Sequence, residues 1–102
     1  MPVVHPDAER FLGSGSVYLY WQPDERAYFG YWDSSPDGAP GESLAALSPT
    51  RSTRQAVEWG RHRAPRVLIR PKTDPGVYYW AGVGDPVGTD NDLKRLSSRY
   101  LR

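Results

Sequence analysis

The sequence predicts an α+β fold whose elements follow the order β-β-α-β-β-α along the chain. The four strands form a mostly antiparallel sheet, and the central helix packs on one face of it. Two pairs of short aromatic and β-branched segments have the composition of strands. A capped helix separates the pairs, and apolar residues near the C-terminus recur at helical spacing. Residues 1–15 contain two prolines and two glycines and are expected to form a flexible lead-in, with residues 16–102 as a single domain.

The first strand pair is predicted to be a hairpin. Residues 17–21 (VYLYW) and 27–32 (AYFGYW) consist largely of strand-forming residues, and the Pro-Asp-Glu-Arg sequence at 23–26 supplies a turn. Side chains alternate between the two sides of a strand. The less polar set of each strand is predicted to face the core: Val17, Leu19 and Trp21 in the first, and Ala27, Phe29 and Tyr31 in the second.

A loop and a helix connect the two strand pairs. Residues 33–41 consist almost entirely of Asp, Ser, Pro and Gly and are predicted to form a loop, and residues 42–47 either a short strand or a single helical turn. Ser52, with Gln55 three residues later, is typical of a helix N-cap, and Pro65 ends the helix. Small and apolar residues form one helical stripe that is predicted to pack on the sheet: Ala56, Val57, Gly60 and Ala64.

The second half repeats the pattern. Residues 66–71 (RVLIRP) and 77–81 (VYYWA) are predicted strands, and Asp-Pro-Gly at 74–76 favours a turn between them. Residues 82–88 are predicted to be a loop. The sequence Thr-Asp-Asn-Asp at 89–92 is typical of a helix start, and the apolar stripe of this last helix comprises Leu93, Leu96, Tyr100 and Leu101.

The composition limits the classes of protein to which this chain can belong. The 102 residues are 38% apolar and 25% charged, which is ordinary for a globular domain, and the absence of cysteine excludes disulfides and thiolate zinc sites. The sequence contains neither an apolar run long enough to span a membrane nor a signal peptide at its start, so a cytoplasmic location is predicted. The ratio of eleven arginines to two lysines suggests a bacterial protein from a GC-rich genome.

Charge is unevenly distributed along the chain. Residues 1–50 carry seven acidic and two basic side chains, a net charge of −5, whereas residues 51–72 carry seven basic and one acidic side chain, a net charge of +6. Residues 73–102 are balanced. Such asymmetry indicates either a site for an anionic partner or charges that pair within the fold.

The sequence predicts neither an enzyme nor a cofactor or metal site. His5 and His62 are isolated from each other, and the close acid pairs fall in predicted turns and caps, where carboxylates accept backbone hydrogen bonds. The glycine-rich residues 82–88 (GVGDPVG) match neither G-x-G-x-x-G nor a Walker pattern. We interpret them as a turn.

A surface of aromatic and arginine side chains is the strongest functional signal. If Val17, Leu19, Val67 and Ile69 face the helix, the opposite face gathers rings and guanidinium groups, which suits single-stranded nucleic acid because bases stack on rings and arginines bind phosphates. Two other interpretations stay open: the C-terminal helix covers this face, or a second copy or another protein packs on it. The face is predicted to hold Tyr18, Tyr20, Tyr28, Trp32, Arg66, Arg70, Tyr78 and Trp80, and the candidate partner or nucleic-acid surface comprises Arg61, Arg63, Arg66, Arg70, Tyr18, Tyr20, Tyr78 and Trp80.

Three consecutive motifs resemble a known family. Residues 28–32 (YFGYW), 35–41 (SPDGAPG) and 52–56 (STRQA) occur in the order of a strand, a Pro-Asp…Pro-Gly loop and a capped helix. Over residues 16–71 the chain resembles the small β-β-α-β domain of HicB-type antitoxins, which neutralise a small ribonuclease toxin. The loop has one extra residue and lacks the family's usual cysteine, and residues 90–102 are too short for its DNA-binding appendage. The resemblance therefore implies the fold, and no functional residue is transferred.

These observations predict a small, non-enzymatic binding or regulatory module that acts through protein–protein contacts and self-associates. Its main sequence support is the surplus of aromatic surface together with the absence of a catalytic set. The alternative is a nucleic-acid-binding protein that uses the aromatic and arginine face of the sheet.

Overall fold

The computed structural model describes residues 7–102, which form an α+β fold built on one mixed sheet of five strands. One α-helix, α1 (Thr53–Arg61), is present in this part of the chain and packs on one face of the sheet. No helix in residues 7–102 has the length and apolar character needed to cross a membrane. The strands are β1 (Ser16–Gln22), β2 (Ala27–Asp33), β3 (Ser43–Ala46), β4 (Arg66–Arg70) and β5 (Tyr79–Trp80), in the spatial order β3-β2-β1-β4-β5.

The prediction of four mostly antiparallel strands is wrong in detail because residues 43–46 form a strand. The β1–β2 hairpin is antiparallel as predicted, and β3 adds to β2 at the edge of the sheet. The chain reverses direction after each element. Because β3 adds one reversal before α1, the chain leaves α1 in the direction of β1 rather than against it. After α1 the chain returns alongside β1 as β4, and the two strands are parallel.

The predicted central helix and its cap are confirmed. Ser52 has extended backbone angles, and its Oγ accepts a hydrogen bond of 3.1 Å from the backbone N–H of Gln55. Ala56, Val57 and Gly60 are buried against the sheet. A Cβ at Gly60 would lie 3.0 Å from methyl carbons of Val17 and Val67, so glycine at this position permits the close approach of the helix.

The core lies between α1 and the sheet, and one strand is turned the opposite way from its prediction. Val17, Leu19, Val67 and Ile69 are fully buried on the α1 side, as predicted. In β2 the buried residues are Tyr28, Gly30 and Trp32, rather than the predicted Ala27, Phe29 and Tyr31. The backbone register explains this: Trp32 pairs with Val17 and Gly30 with Leu19, which places these residues on one side of the sheet.

The predicted C-terminal helix is absent from the structure. Residues Gly88–Asp90 and Ser98–Leu101 form short 3-10 helices, residues 91–92 form a turn, and the chain at 93–97 is not helical. The backbone N–H of Trp80 donates to the Lys94 carbonyl at 2.8 Å, and the N–H of Leu96 donates to the Trp80 carbonyl at 2.8 Å. This segment thus completes the hydrogen bonding of the short edge strand β5.

The segment at 8–13 packs on the same side of the sheet as α1. Within the predicted lead-in, residues 1–6, including His5, lie outside the described residues. Ala8–Phe11 form a 3-10 helix, and Ala8 is part of the core. The backbone N–H of Gly13 donates to the Arg63 carbonyl at 2.8 Å, which joins this segment to the turn that follows α1.

Candidate functional site

The side of the sheet opposite α1 carries a cluster of five partly exposed aromatic rings. The register pairs Tyr18 with Tyr31 and Tyr20 with Phe29, so these four side chains project from the same side of β1 and β2. Tyr78 joins them from the segment before β5, where its ring centroid lies 6.1 Å from that of Tyr18. We call this group the aromatic face, and it comprises Tyr18, Tyr20, Phe29, Tyr31 and Tyr78.

The rings contact one another and remain open to solvent. The centroids of Tyr18 and Tyr31 are 5.2 Å apart, and those of Tyr20 and Phe29 are 6.3 Å apart with nearly parallel planes. Both separations fall within the range of favourable aromatic pairs. Tyr31 is 38% exposed and the other rings are half-buried. The face is therefore a packed layer with its outer surface accessible.

Within residues 7–102, no C-terminal helix covers the aromatic face, although Leu93 lines a cavity with Tyr78 at its edge. Leu96 and Leu101, two members of its predicted apolar stripe, pack against the core between the sheet and α1. The short 3-10 helix Ser98–Leu101 contacts α1 itself. Of the three interpretations that the sequence leaves open for this face, cover by a C-terminal helix is the one that the structure does not show.

Two arginines border the aromatic face, and they differ in availability. The exposed guanidinium of Arg70 lies 4.4 Å from the ring centroid of Tyr78. The guanidinium of Arg66 lies near Tyr18, but its Nε and Nη2 donate to the two carboxylate oxygens of Asp90 at 2.6 and 2.9 Å. The hydrogen bond from Arg66 to Asp90 raises the pKa of the Arg66 guanidinium. Arg66 is thus charged but neutralised within the fold, whereas Arg70 faces solvent.

The remaining predicted surface residues are either away from the aromatic face or buried. Arg61 is on α1, and its Nε donates to a backbone carbonyl just after β5. Arg63 lies over the ring of Trp59 at 4.2 Å, and burial lowers the pKa of its guanidinium. Trp80 points to the side of the aromatic face but is only 5% exposed. The structure therefore brings together Tyr18, Tyr20, Tyr78, Arg66 and Arg70, but separates Arg61 and Arg63 from them.

The sequence predicts two members of the aromatic face to be core residues, and two residues predicted on the face are in the core. Phe29 and Tyr31 are on the face, whereas Tyr28 and Trp32 are buried toward α1. Gly30 is the signal that could have fixed this assignment. A Cβ there would lie 2.7 Å from a methyl carbon of Leu19, so the β2 side that faces the core has room only for glycine at its centre.

A pocket of about 480 Å³ lies beside the aromatic face, at the end of the sheet where β1 and β4 begin. We call it the Trp80 pocket. The loop at 34–41 forms one wall, and the loop at 82–90 forms the other. Its lining combines apolar and charged side chains: Pro36, Pro65, Trp80, Val83 and Val87 together with Asp37, Arg66, Asp85 and Asp90, plus Gly88 and Thr89.

Asp37 is an exposed carboxylate of this pocket. Its Oδ1 accepts hydrogen bonds from the backbone N–H of Ala39 at 3.0 Å and from the Ser35 hydroxyl at 2.8 Å. The hydrogen bonds from Ala39 and Ser35 hold the pKa of the Asp37 carboxyl below its usual value. Asp37 is therefore ionised throughout the physiological pH range.

The described residues offer no metal site, and comparison with known proteins gives no match. Within residues 7–102, no group of three or more histidine, aspartate or glutamate side chains could hold a metal ion. No protein-family model matches the chain, and neither a curated protein nor a solved structure matches it. The resemblance to the small domain of HicB-type antitoxins therefore stays a prediction.

Proposed function

We propose that this protein is a small non-enzymatic binding or regulatory module that acts through protein–protein contacts, and that its aromatic face binds a second copy of the chain. The observation that carries the proposal is the layer of five partly exposed rings that the described elements leave accessible. Contiguous apolar surface of this kind marks interaction sites on folded monomers. A cytoplasmic location stays a prediction from the sequence.

The chemistry of the rings suits burial in an interface. Tyrosine combines a large, rigid apolar surface with a hydroxyl that both donates and accepts hydrogen bonds, and it is enriched at the centres of protein interfaces. Burial, together with the nearby Tyr78 and Tyr18, raises the pKa of Tyr31. Its hydroxyl is thus neutral at physiological pH, and covering it removes no charge from water.

A second copy fits this face because a two-fold interface places the same surface on both sides and requires it to complement itself. Tyrosine hydroxyls meet this requirement, since each can donate to or accept from another. The Arg70 guanidinium already lies over the Tyr78 ring, and the same kind of contact can form between copies. Rings from two copies can also stack on each other in offset or edge-to-face geometry.

The nucleic-acid alternative has less support from the geometry. Of its four arginines, Arg61 and Arg63 lie away from the aromatic face and Arg66 is bound to Asp90, which leaves Arg70 to contact phosphate. Each phosphate neutralised on a single strand contributes about 0.7 log units of affinity per decade of salt. Nucleic-acid binding would therefore be weak, and Arg70→Ala would remove most of its salt dependence.

The test is sedimentation velocity at tens of micromolar protein, with a charge placed in the centre of the face. We expect the unmodified protein to be a dimer and Tyr31→Glu to be a monomer with an unchanged far-UV circular dichroism spectrum, because two new carboxylates would be buried near the two-fold axis. The matched control is Leu12→Glu, since Leu12 is 59% exposed and lines a cavity with Trp32 and Ala45 on the other side of the sheet.

The control variant is expected to dimerise like the unmodified protein. A protein that remains monomeric throughout this concentration range would overturn the proposal, and so would a Tyr31→Glu dimer of unchanged stability. Binding of a labelled single-stranded oligonucleotide that Arg70→Ala abolishes, in a protein that stays monomeric, would support the nucleic-acid alternative instead.

A further inference from the structure

We propose that the Trp80 pocket is a binding site for a small organic cation, a compound with an apolar body of one or two rings and a single amino group. The pocket lies beside the aromatic face and shares the bordering Arg66 with it, but its two walls, the loops at 34–41 and 82–90, carry none of the five rings. Binding at the pocket and dimerisation through the face can therefore be tested independently.

The size and walls of the pocket suit an apolar body. Its volume of about 480 Å³ falls within the range of about 300–1,000 Å³ that is typical of small-molecule sites. Trp80 lines the pocket, and its indole N–H donates to the Gly84 carbonyl at 3.0 Å, which fixes the orientation of the ring. Val83 and Val87 are each 71% exposed at the pocket, and a ligand that covers them removes apolar surface from water.

The charges around the pocket select a cation. Arg66 and Asp90 form a two-pronged ion pair and cancel each other, and the exposed Asp85 is paired with Arg95. Among the described residues that line the pocket, Asp37 is left as the carboxylate without a cationic partner in contact. Its Oδ1 is held by Ser35 and Ala39, whereas its Oδ2 makes no hydrogen bond within residues 7–102. This oxygen can accept from an ammonium group.

The pocket is held in shape before a ligand arrives. The ion pair of Arg66 and Asp90 ties the loop at 82–90 to the start of β4. The Arg66 Nη1 also donates to the Tyr18 hydroxyl at 2.6 Å and to Ser16 Oγ at 3.2 Å. Gly38, with φ of 85°, brings the opposite loop against the same guanidinium. Binding therefore requires little ordering of the two loops, which favours affinity.

Two probes of the same shape and opposite charge test the inference: phenethylamine and hydrocinnamate. Backbone and indole N–H signals are followed by NMR during titration of the full-length protein with each probe. We expect phenethylamine to produce saturable shifts at the Trp80 indole N–H and at the Val83 and Val87 amides, with the millimolar dissociation constant of a ligand this small. Hydrocinnamate at the same concentrations should leave these signals in place.

Removal of the selecting charge supplies the second measurement. Asp37→Asn keeps an oxygen that can accept from Ala39 and Ser35, and we expect it to weaken phenethylamine binding about two- to fivefold, as for an exposed charge pair. The matched control is Asp24→Asn, in the exposed turn between β1 and β2 at the other end of the sheet, which should bind phenethylamine unchanged. No saturable shift with phenethylamine, equal binding of hydrocinnamate, or an unaltered affinity in Asp37→Asn would each overturn the proposal.

Discussion

Asp90→Ala is expected to be among the most destabilising substitutions at a polar residue of this protein. Asp90 accepts two hydrogen bonds from Arg66, and the side chains of Arg66 and Asp90 are only 13% and 10% exposed. The substitution removes both bonds and leaves a guanidinium in a largely buried position. Arg66 keeps its contacts with Tyr18 and Ser16, so its desolvation is compensated in part.

The size of the effect follows from these contacts. Hydrogen bonds to charged groups contribute about 1.5–3 kcal/mol each, and loss of one partner of a buried ion pair costs about 3–5 kcal/mol. Because two acceptors of Arg66 remain and water can enter through the Trp80 pocket, we expect a loss of about 2–4 kcal/mol in the free energy of unfolding. Replacing Arg66 and Asp90 together by leucine should cost less than the sum of the single replacements, because neither charge is then left unpaired.

Urea denaturation followed by tryptophan fluorescence measures this loss. Asp92→Ala is the matched control, since Asp92 lies two residues away and is exposed, and its substitution should change stability by less than about 0.5 kcal/mol. If Asp90→Ala and Asp92→Ala had equal midpoints, the ion pair would contribute nothing to stability. The anchoring role given to it in the loop at 82–90 would then be wrong.

Two further predictions concern the core. Gly15→Ala should destabilise the protein far more than Gly13→Ala. Both glycines have φ of 83°, but a Cβ at Gly15 would overlap the carbonyl oxygen at the end of β2, whereas a Cβ at Gly13 meets open space. Similar midpoints of the two variants in thermal unfolding would contradict this prediction. Tyr28→Phe should lower the free energy of unfolding in urea by about 1–3 kcal/mol, because the buried hydroxyl is hydrogen-bonded to Thr53 Oγ1 and to a backbone N–H, and both would lose a partner. The control is Tyr20→Phe, at a half-buried ring of the aromatic face, which should leave the free energy of unfolding nearly unchanged.

The elements that sequence predicts best are those specified by local chemistry. The β1–β2 hairpin follows from two strand-forming segments around a Pro-Asp turn, and α1 follows from Ser52, Gln55 and a stripe of small residues. In each case the residues that specify the element lie within it or next to it in the sequence. The short segment at 42–47 lacks such a signal, since a Ser-Leu-Ala-Ala sequence suits a helical turn as well as an edge strand.

The predicted four-stranded sheet omits β3, although a short strand at 42–47 is one of the two predicted alternatives, and this omission changes the topology of the sheet. With β3 absent, the chain would enter α1 directly after β2 and return beside β1 in the opposite direction. With β3 present, one more reversal occurs, and β4 pairs with β1 in parallel. A four-residue strand therefore determines whether the sheet is antiparallel or mixed, although its own sequence is ambiguous.

The composition of the aromatic face could be predicted only in part, because alternation groups residues but does not say which group faces inward. In β1 valine and leucine alternate with tyrosine, which predicts the inward side correctly. In β2 each set contains a large ring, and hydrophobicity favours Phe29 over Tyr28 as the core residue. The core nevertheless accepts Tyr28, because Thr53 and the backbone N–H of Lys72 satisfy its hydroxyl.

The fate of the C-terminal segment shows how a sheet edge can override helical periodicity. Leucines at 93 and 96 and apolar residues at 100 and 101 fit a helical stripe, but β5 is only two residues long and needs partners for its outer backbone groups. The extended chain at Lys94–Leu96 provides them through Trp80. Leu96 and Leu101 still reach the core, so the apolar pattern is satisfied without a helix.

The basic stretch at 51–72 shows why a net charge of +6 in sequence does not become a patch of that charge on the surface. The chain passes from α1 on one side of the sheet to β4 within it, and alternation along β4 then points Arg66 and Arg70 to the other side. Arg61 and Arg63 therefore stay with α1, and Asp90 neutralises Arg66. What remains on the aromatic face is a neutral layer of rings with Arg70 at its border, and this is the surface on which the proposed self-association depends.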